Sequence, residues 1–395
     1  MDLSWLSISW LSVLFLALAA AGCLYALAAA ALTGRFARRP EPAPVAAPPS
    51  VTLLKPLYGD EPNLFRNLAS FCAQDYAGPV QLVLGVQSPN DAAIPVVRRL
   101  QAAFPDRAID LVIDPRQHGS NRKVSNLVNM ASAIRHAVVV LSDSDMVVTP
   151  DYLGRVVAAL VQPGVAGVTC LYHGVPADRG LWAQLSALAI DSAFIPNVVV
   201  GVSLGLARPC MGSTIALTAE RLTSIGGFEA FRDDLADDYA IGAALRAGGE
   251  VVTIPNFTIG HTCTDRSLPE MWRHELRWNR TIRNVDPAGY AGSVVTHAFP
   301  LALIGALLPG GEGFGLPVAA LALACRVALV WRIERAFKIT PHAYWLLPIR
   351  DLLSFATFAW SFVSGAVTWK GHDYRVVADG TLIPDSARDA GAASH

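Results

Sequence analysis

An uncharged, apolar segment near the start of the chain restricts most strongly what this sequence can fold into. No charged residue lies between Asp2 and Arg35, and the run Trp10–Leu32 is almost wholly apolar. Such a run is long enough for one transmembrane helix, which needs about 20 residues. A secretory signal peptide is the alternative, but it has a basic start and an apolar core of only roughly 7–15 residues. We therefore predict a transmembrane anchor in residues 1–34.

The composition also favours a membrane protein over a nucleic-acid-binding protein. Hydrophobic residues make up 53% of the chain and charged residues 16%, whereas soluble proteins have roughly 45–50% and about 25%. The net charge of −1 argues against a nucleic-acid partner, which would require a basic excess. The six cysteines form no C-x-x-C pair, so neither a zinc site nor a disulfide framework is indicated.

The segments that flank the central part of the chain predict its topology. The anchor is followed at once by the basic residues Arg35, Arg38 and Arg39. The positive-inside rule places the next part of the chain in the cytoplasm. Residues 35–50 are rich in proline and predict a stiff linker. Long uncharged runs in residues 286–370 predict two or three further transmembrane helices. Residues 371–395 form the tail, which we predict to be disordered after Ala378.

Between residues 51 and 262, short β-branched runs alternate with longer helical patterns. The predicted strands are Val51–Leu54, Val80–Val86, Ile109–Ile113, Ala137–Leu141, Val165–Leu171 and Val251–Ile254. The predicted helices are Asn63–Cys72, Ile94–Phe104, Lys123–Ile134 and Tyr152–Leu160, with a further one at Pro269–Arg283. This alternation predicts an α/β fold, a mostly parallel sheet covered by helices on both faces. We expect ligands beyond the carboxyl ends of its strands.

Two carboxylates follow the apolar strand that ends at Leu141. Asp143 and Asp145 are separated by one residue, so in an extended chain their side chains point the same way and can converge on one ion. Carboxylate oxygens suit Mg²⁺ or Mn²⁺ that bridges the phosphates of a nucleotide sugar. A solvated loop with two capping acids is the alternative, because a D-x-D pattern is common in proteins.

Charged residues also open two of the predicted helices. Asp237 and Asp238 begin a helical pattern, where acids ordinarily cap the helix and complement its dipole. The functional alternative makes Asp238 a general base that removes the proton of an acceptor hydroxyl. Lys123 lies at a helix start, where amide groups already favour a phosphate, although an exposed lysine is the commoner case.

Arginine and tryptophan dominate the helix predicted at Pro269–Arg283. Arg273, Arg277 and Arg280 are spaced by four and three residues, so they share a face, and two tryptophans, Trp272 and Trp278, flank them. An amphipathic helix at the membrane interface has this composition. Guanidinium groups also suit a diphosphate, and both interpretations can hold together.

A set of short motifs occurs in a fixed order between Leu53 and Arg283. They are LLKPLYGDEPNL, QDY, GVQSPND, NRKVSNL, SDSD, GSTIAL, GGFEAF, LADDYAIG and HELRWNRTIR. Through this ordered set the chain resembles inverting glycosyltransferases of families 2 and 21, the group of ceramide glucosyltransferases and hopanoid-associated glycosyltransferases. The resemblance implies a nucleotide-sugar-binding fold of the glycosyltransferase A type, Rossmann-like, with membrane helices at both ends. The expected cytoplasmic domain is residues 51–285, including the interfacial helix 269–283.

The same resemblance implies site residues. Asp91 contacts the uridine of the donor, a divalent cation is held by Asp143 and Asp145, and Asp238 is the base. Lys123, Asp143, Arg277 and Trp278 are donor-binding residues. Asp237, Arg273 and His274 bind the acceptor or the diphosphate, with His274 standing where the family usually has Gln or Arg.

The reaction implied by the resemblance is single displacement, with inversion, onto a lipid hydroxyl at the cytoplasmic membrane. The sequences of the motifs HELRWNRTIR and LADDYAIG favour transfer of N-acetylglucosamine from UDP-N-acetylglucosamine to a hopanoid polyol. Transfer of glucose from UDP-glucose to ceramide is the alternative. The apolar segment 181–206 is expected to receive the lipid tail. A processive polysaccharide synthase would need more spans to line a pore. A non-catalytic scaffold would be expected to have lost a site acid, and a transporter would carry more ionisable residues within its spans.

Overall fold

The computed structural model describes residues 9–363, 366–369, 372–376 and 382–384. In chain order, its α-helices are α1 Trp10–Phe36, α2 Leu64–Cys72, α3 Ala93–Ala103, α4 Arg122–Met130, α5 Tyr152–Leu160, α6 Leu181–Ala189, α7 Ile195–Ser203, α8 Ala219–Ser224, α9 Asp237–Arg246, α10 Leu268–Val285, α11 Pro287–Gly292, α12 Ala298–Leu307, α13 Glu312–Phe337 and α14 Leu347–Trp360. Its strands are β1 Val51–Pro56, β2 Val80–Val86, β3 Ala108–Ile113, β4 Val138–Leu141, β5 Met146–Val147, β6 Val165–Thr169, β7 Leu171–Pro176, β8 Ile215–Thr218, β9 Val251–Thr253, β10 Thr258–Cys263, β11 Ala366–Trp369, β12 His372–Val376 and β13 Leu382–Pro384. Of the tail predicted to be disordered after Ala378, the structure describes only Leu382–Pro384, which is strand β13.

The described chain forms two compact units. The first, here called the helical unit, contains residues 9–38, 179–207, 265–363 and 366–369. The second, the sheet unit, contains residues 39–178, 208–264, 372–376 and 382–384. The sequence predicts one cytoplasmic domain over residues 51–285, but segments 179–207 and 265–285 lie in the helical unit. The functional boundaries of that domain stay a prediction.

A seven-stranded sheet organises the sheet unit, in the strand order β3-β2-β1-β4-β8-β6-β9. Strands β1 to β4 are parallel, whereas β8 runs antiparallel to both of its neighbours. Alternate residues of β4 enter two different cores: Val138 and Val140 one of them, and Val139 and Leu141 the other. Burial on both faces explains why the parallel strands are nearly continuous apolar runs. The predicted α/β fold is confirmed.

A second, three-stranded sheet has the order β5-β10-β7. Strand β10 runs antiparallel to β5, with His261 opposite Met146, and parallel to β7. The short strand β5 begins directly after Asp145. This sheet therefore brings β10 to the segment that follows the end of β4.

Up to residue 264, the predicted elements of the sheet unit agree with the structure apart from one division and four elements that were not predicted. The run predicted as Val165–Leu171 is divided at Cys170 into β6 and β7. Strands β5, β8 and β10 and helix α8 were not predicted. Of the predicted helices, the one at 123–134 ends as an α-helix at Met130 and continues as a single 3₁₀ turn, Ala131–Ala133.

In the helical unit, α1, α12 and α13 pack against one another. By length and apolar composition, three helical segments of the described residues suit a membrane span: Trp10–Phe36, Leu181–Ser203 and Glu312–Phe337. The consecutive segments Pro287–Thr296 and Ala298–Leu307 pass the same test together, although they are bent by 66°. Apolar helices of spanning length thus occur at the N-terminus and elsewhere, as the fold prediction expected.

The segment expected to receive a lipid tail is itself helical. Helices α6 and α7 are joined through a π-helical turn, Ile190–Phe194, so that Leu181–Ser203 of the expected segment 181–206 forms one helical run. Asp191 of this turn is fully buried, and its Oδ2 lies 2.7 Å from His342 Nε2. The π turn gives the apolar run a buried polar position within the helical unit. Its proposed use by a lipid stays a prediction.

Candidate active site

The two acids of the D-x-D motif lie in the turn after β4. The Asp143 N–H donates to the Gly212 carbonyl at 3.1 Å, which ties the turn to the chain segment before β8. The hydroxyl of Ser144, between the two acids, donates to Glu61 Oε2 at 2.6 Å. The position beyond the carboxyl end of a central parallel strand is the one that the sequence predicted for a ligand site.

A buried lysine that the sequence patterns did not reveal lies beneath this turn. Lys55 of β1 is only 1% exposed. Its Nζ donates to the Asp143 carbonyl oxygen at 2.7 Å and to Ser142 Oγ at 3.1 Å, and it lies 3.4 Å from the centre of the Phe71 ring. Burial lowers the pKa of Lys55 to about 7, although nearby carboxylates, first that of Asp145, oppose this shift. A lysine within an apolar strand was the available sequence signal, since lysine is rarely fully buried without a partner.

Lys123 links the metal-binding motif to the acids of α9. Its Nζ lies 2.8 Å from Asp143 Oδ1 and 3.2 Å from Asp237 Oδ2. The lysine is held at the first turn of α4, whose N-cap Asn121 accepts a hydrogen bond from Val124 N–H. Burial alone would lower the pKa of Lys123, but these carboxylates outweigh burial and raise it above its ordinary value. The structure therefore places Lys123 among the acids rather than in solvent.

Asp238, the predicted base, lies next to the same backbone segment as Asp143. Its Oδ2 accepts a hydrogen bond from Gly212 N–H at 2.9 Å, and its Oδ1 accepts one from Tyr239 N–H at 2.7 Å. Burial, followed by the neighbouring charge of Asp237, raises the pKa of Asp238 to about 6. A carboxyl group with this pKa is ionised at neutral pH and accepts a proton more readily than an ordinary aspartate.

A histidine that the sequence patterns also did not reveal lies beside Asp145. His261 of β10 is buried, and its Nε2 lies 3.1 Å from Asp145 Oδ2. The ring of Tyr172 lies 5.5 Å from the imidazole, between centroids. Burial opposes protonation of His261, but the Asp145 carboxylate outweighs it and raises the pKa well above its ordinary value. The residue was missed because strand β10 was not predicted.

The residues present fit a divalent cation. Asp143 and Asp145 provide the hard oxygen donors that Mg²⁺ and Mn²⁺ prefer. Burial, and after it the charge of Asp145, raises the pKa of Asp143, although Lys123 opposes this, so a cation there would relieve a cost of burial and charge repulsion. No group of three or more acidic, histidine or cysteine side chains arranged for a metal occurs in the described part of the chain. Two carboxylates suffice when substrate phosphates and water complete the coordination.

Asp91, the predicted uridine contact, occupies a loop of the sheet unit between β2 and α3. Its Oδ1 accepts hydrogen bonds from Gly59 N–H and Ala93 N–H, each at 2.9 Å. Gly59 has a φ of +74°, a left-handed conformation that favours glycine. Asp91 thus fastens the loop after β1 to the start of α3. Its contact with the donor stays a prediction.

The remaining predicted site residues, Arg273, His274, Arg277 and Trp278, lie on α10 in the helical unit. The rings of His274 and Trp278, one turn apart, have centroids 4.2 Å from each other, and His274 Nδ1 lies 3.6 Å from Asp265 Oδ2. Arg273 is exposed and Arg277 is half-buried, but Arg280 is only 8% exposed. Of the three arginines predicted to share a face, Arg280 is therefore buried, and the diphosphate role of the other two stays a prediction.

Comparisons with known proteins agree with this fold. The family described as Glycosyl transferase family 21 matches residues 14–382. Ceramide glucosyltransferase 1 of Caenorhabditis elegans is 29% identical over 54% of this chain and 45% of its own length. The ceramide glucosyltransferase of Gibberella zeae is 27% identical over 41% of this chain and 34% of its own length. The matches thus span half or less of these curated relatives.

One solved structure is similar over nearly the whole chain. It is a mannosyltransferase from Pyrobaculum calidifontis, in complex with GDP-Man and Mn²⁺, with a TM-score of 0.53 and 21% identity. The similarity covers 89% of this chain and 99% of that one. At this identity the likeness concerns the fold, and it agrees with the predicted glycosyltransferase A type.

Proposed function

Because this chain belongs to glycosyl transferase family 21, we propose that it transfers a hexose from a nucleotide sugar to a lipid hydroxyl, with inversion. The observation that carries the proposal is the backbone of Gly212. Its carbonyl accepts from Asp143 N–H, and its N–H donates to Asp238 Oδ2. Gly212 thus holds two carboxylates close together. That of Asp143 suits a cation bound to the donor, and that of Asp238 suits the proton of the acceptor.

In the proposed reaction, Asp238 accepts the proton of the acceptor hydroxyl as its oxygen attacks the anomeric carbon and the sugar–phosphate bond breaks. Asp143 and Asp145 would hold a divalent cation, which would supply positive charge to stabilise the departing diphosphate. Lys123, beside Asp143, adds a positive charge, and we assign Arg277 and Trp278 to the same diphosphate. Fixed charges aimed at a developing negative charge lower the barrier most effectively.

We propose UDP-glucose as the donor and a ceramide-type lipid as the acceptor. The curated relatives that support this choice are described as ceramide glucosyltransferases. The sequences of the motifs favoured a hopanoid polyol as the acceptor, but neither of these relatives supports that choice. Asp91 is proposed to contact the uridine, and Asp237, Arg273 and His274 the acceptor or the diphosphate.

We also propose that the enzyme lies in the inner membrane with its sheet unit on the cytoplasmic side. The apolar helices of the helical unit support the membrane assignment. The basic residues that follow α1 support the orientation. A membrane-bound enzyme gives a lipid acceptor a short path from the bilayer to the site.

The test is sugar transfer by the detergent-solubilised full chain with Mn²⁺. Each of UDP-glucose and UDP-N-acetylglucosamine is offered with ceramide or with a hopanoid polyol. We expect glucosylceramide, and we expect Asp238→Asn to lower kcat by roughly 100- to 10,000-fold, the usual contribution of a general base. The matched control is Asp106→Asn, an exposed acid of the same unit, which should retain full activity. Undiminished transfer by Asp238→Asn would refute the base assignment, and a hopanoid product would reverse the choice of acceptor.

A further inference from the structure

A buried ion pair joins α10 to α14 within the helical unit. Arg350 of α14 is 0% exposed, and Glu275 of α10 is 9% exposed. The guanidinium donates from Nη1 to Glu275 Oε1 at 2.6 Å and from Nη2 to Oε2 at 2.7 Å. This bidentate geometry fixes both the distance and the mutual orientation of the guanidinium and the carboxylate.

The surroundings of the pair hold it further in place. Arg350 Nε donates to Ser354 Oγ at 3.1 Å, and its Nη1 lies 3.3 Å from Met271 Sδ, one helical turn before Glu275. Thr357 Oγ1 lies 3.5 Å from Glu275 Oε2. Towards the end of α10, Arg283 donates to the Ser361 carbonyl oxygen. Helix α10 is therefore fastened to α14, and to the residue that follows α14, at two points along its length.

Because of the geometry of an α-helix, this ion pair can determine how α10 is rotated about its own axis. Successive residues of an α-helix are about 100° apart, so Arg277 lies about 200° around α10 from Glu275, on the opposite side. A rotation of α10 about its axis would move Arg277 and Trp278, and it would break both hydrogen bonds of the bidentate ion pair at once. Apolar packing alone resists such a rotation less strictly, because it lacks direction.

We propose that Glu275 and Arg350 are a positioning pair that sets the rotation of α10 and thereby fixes the direction of Arg277, the residue assigned above to the donor diphosphate. This inference rests on the role of Arg277 in the proposed function. A buried ion pair is weak evidence for stability, since well-packed apolar residues of similar volume often stabilise a fold equally well. The pair is therefore explained better by the orientation that it specifies than by the stability that it adds.

The test replaces the pair by apolar side chains in the double variant Glu275→Met/Arg350→Met. We expect an unfolding temperature close to that of the native chain, a higher KM for the UDP-sugar and a kcat/KM lower by roughly 100-fold, the typical effect of a misplacement of about 1 Å. The matched control is Arg326→Met/Asp351→Met, a second buried ion pair of the helical unit, which should leave the KM for donor unchanged. Native kinetics in the first double variant would overturn the proposal.

A double-mutant cycle with Arg277→Ala then separates positioning from a general effect on the fold. If the pair acts through Arg277, its replacement in the Arg277→Ala background should cause no further loss of kcat/KM. Losses that multiply would overturn the proposal. If Asp238→Asn loses activity but Arg277→Ala keeps it, this inference is overturned and the proposed reaction stands. If the native chain transfers no sugar, the proposed reaction itself is refuted.

A conservative variant covers the case in which the double variant does not fold. Arg350→Lys keeps the positive charge but replaces the bidentate contact with Glu275 by the contact of a point charge. We expect a smaller rise in the KM for donor, in the same direction, and weaker binding of UDP alone by calorimetry. Unchanged KM and UDP affinity in Arg350→Lys would count against a role in orientation.

Discussion

At the scale of single residues, the pKa of Asp238 determines how activity depends on pH. Burial and the charge of Asp237 raise this pKa to about 6, and a general base acts only when ionised. We expect kcat/KM to rise about tenfold per pH unit below pH 6 and to level off above it. A pH profile measured at constant ionic strength tests this. A profile that falls between pH 5 and pH 7 would contradict the assignment.

The same pKa predicts an opposite trend for stability. The folded-state pKa of Asp238 is higher than the ordinary value of about 3.9, so its stabilising contribution is complete below pH 4 and is lost as the pH rises through about 6. The shift corresponds to at most about 3 kcal/mol. We expect Asp238→Asn to unfold at a higher temperature than the native chain at pH 8, but not at pH 4, in thermal scans with a chelator present. An equal difference at both values would contradict the shift.

At the scale of elements, the close approach of backbone and acids at Gly212 leaves no room for a side chain. A Cβ at this position would lie 2.7 Å from Asp143 Oδ2 and 3.1 Å from Lys123 Nζ. Because both groups belong to the site, we expect Gly212→Ala to lower kcat/KM by roughly tenfold or more, through displacement of Asp143. The control is Gly154→Ala in α5, where a Cβ meets nothing within 4 Å. It should add about 0.5–1 kcal/mol of stability and leave activity unchanged.

The elements also show what sequence patterns predict and what they miss. Parallel strands such as β1 and β4 were predicted because both of their faces are buried, which makes them continuous apolar runs. Strand β8, with the sequence IALT, has only three consecutive apolar residues, and β10, with the sequence TIGHTC, has polar residues or glycine at most positions, so neither forms a long apolar run. His261 was missed together with β10, whereas Asp143 and Asp145 were predicted because they directly follow an apolar strand.

At the scale of the whole molecule, two helices of the helical unit run in the same direction. Ser9, which precedes α1, donates its N–H to the Pro309 carbonyl at 3.0 Å, shortly before α13 begins. At the other ends of these helices, the rings of Phe36 and Phe337 have centroids 6.3 Å apart. Both of these ends are basic, with Arg35, Arg38 and Arg39 after α1 and Arg332, Arg335 and Lys338 around the end of α13. Two basic ends on one side favour the same, cytoplasmic, orientation for both helices.

This arrangement predicts on which side of the membrane each end of α13 lies. All six native cysteines are buried, so single cysteines introduced at Glu312 and Thr340, both exposed, can be labelled selectively. In intact cells we expect a membrane-impermeant maleimide to label Glu312→Cys but not Thr340→Cys, and in inside-out vesicles the reverse. The opposite pattern would place the basic ends outside, contrary to the positive-inside rule. Labelling of both positions from one side would mean that α13 does not cross the bilayer, because a spanning helix separates its two ends by the hydrocarbon core of about 30 Å.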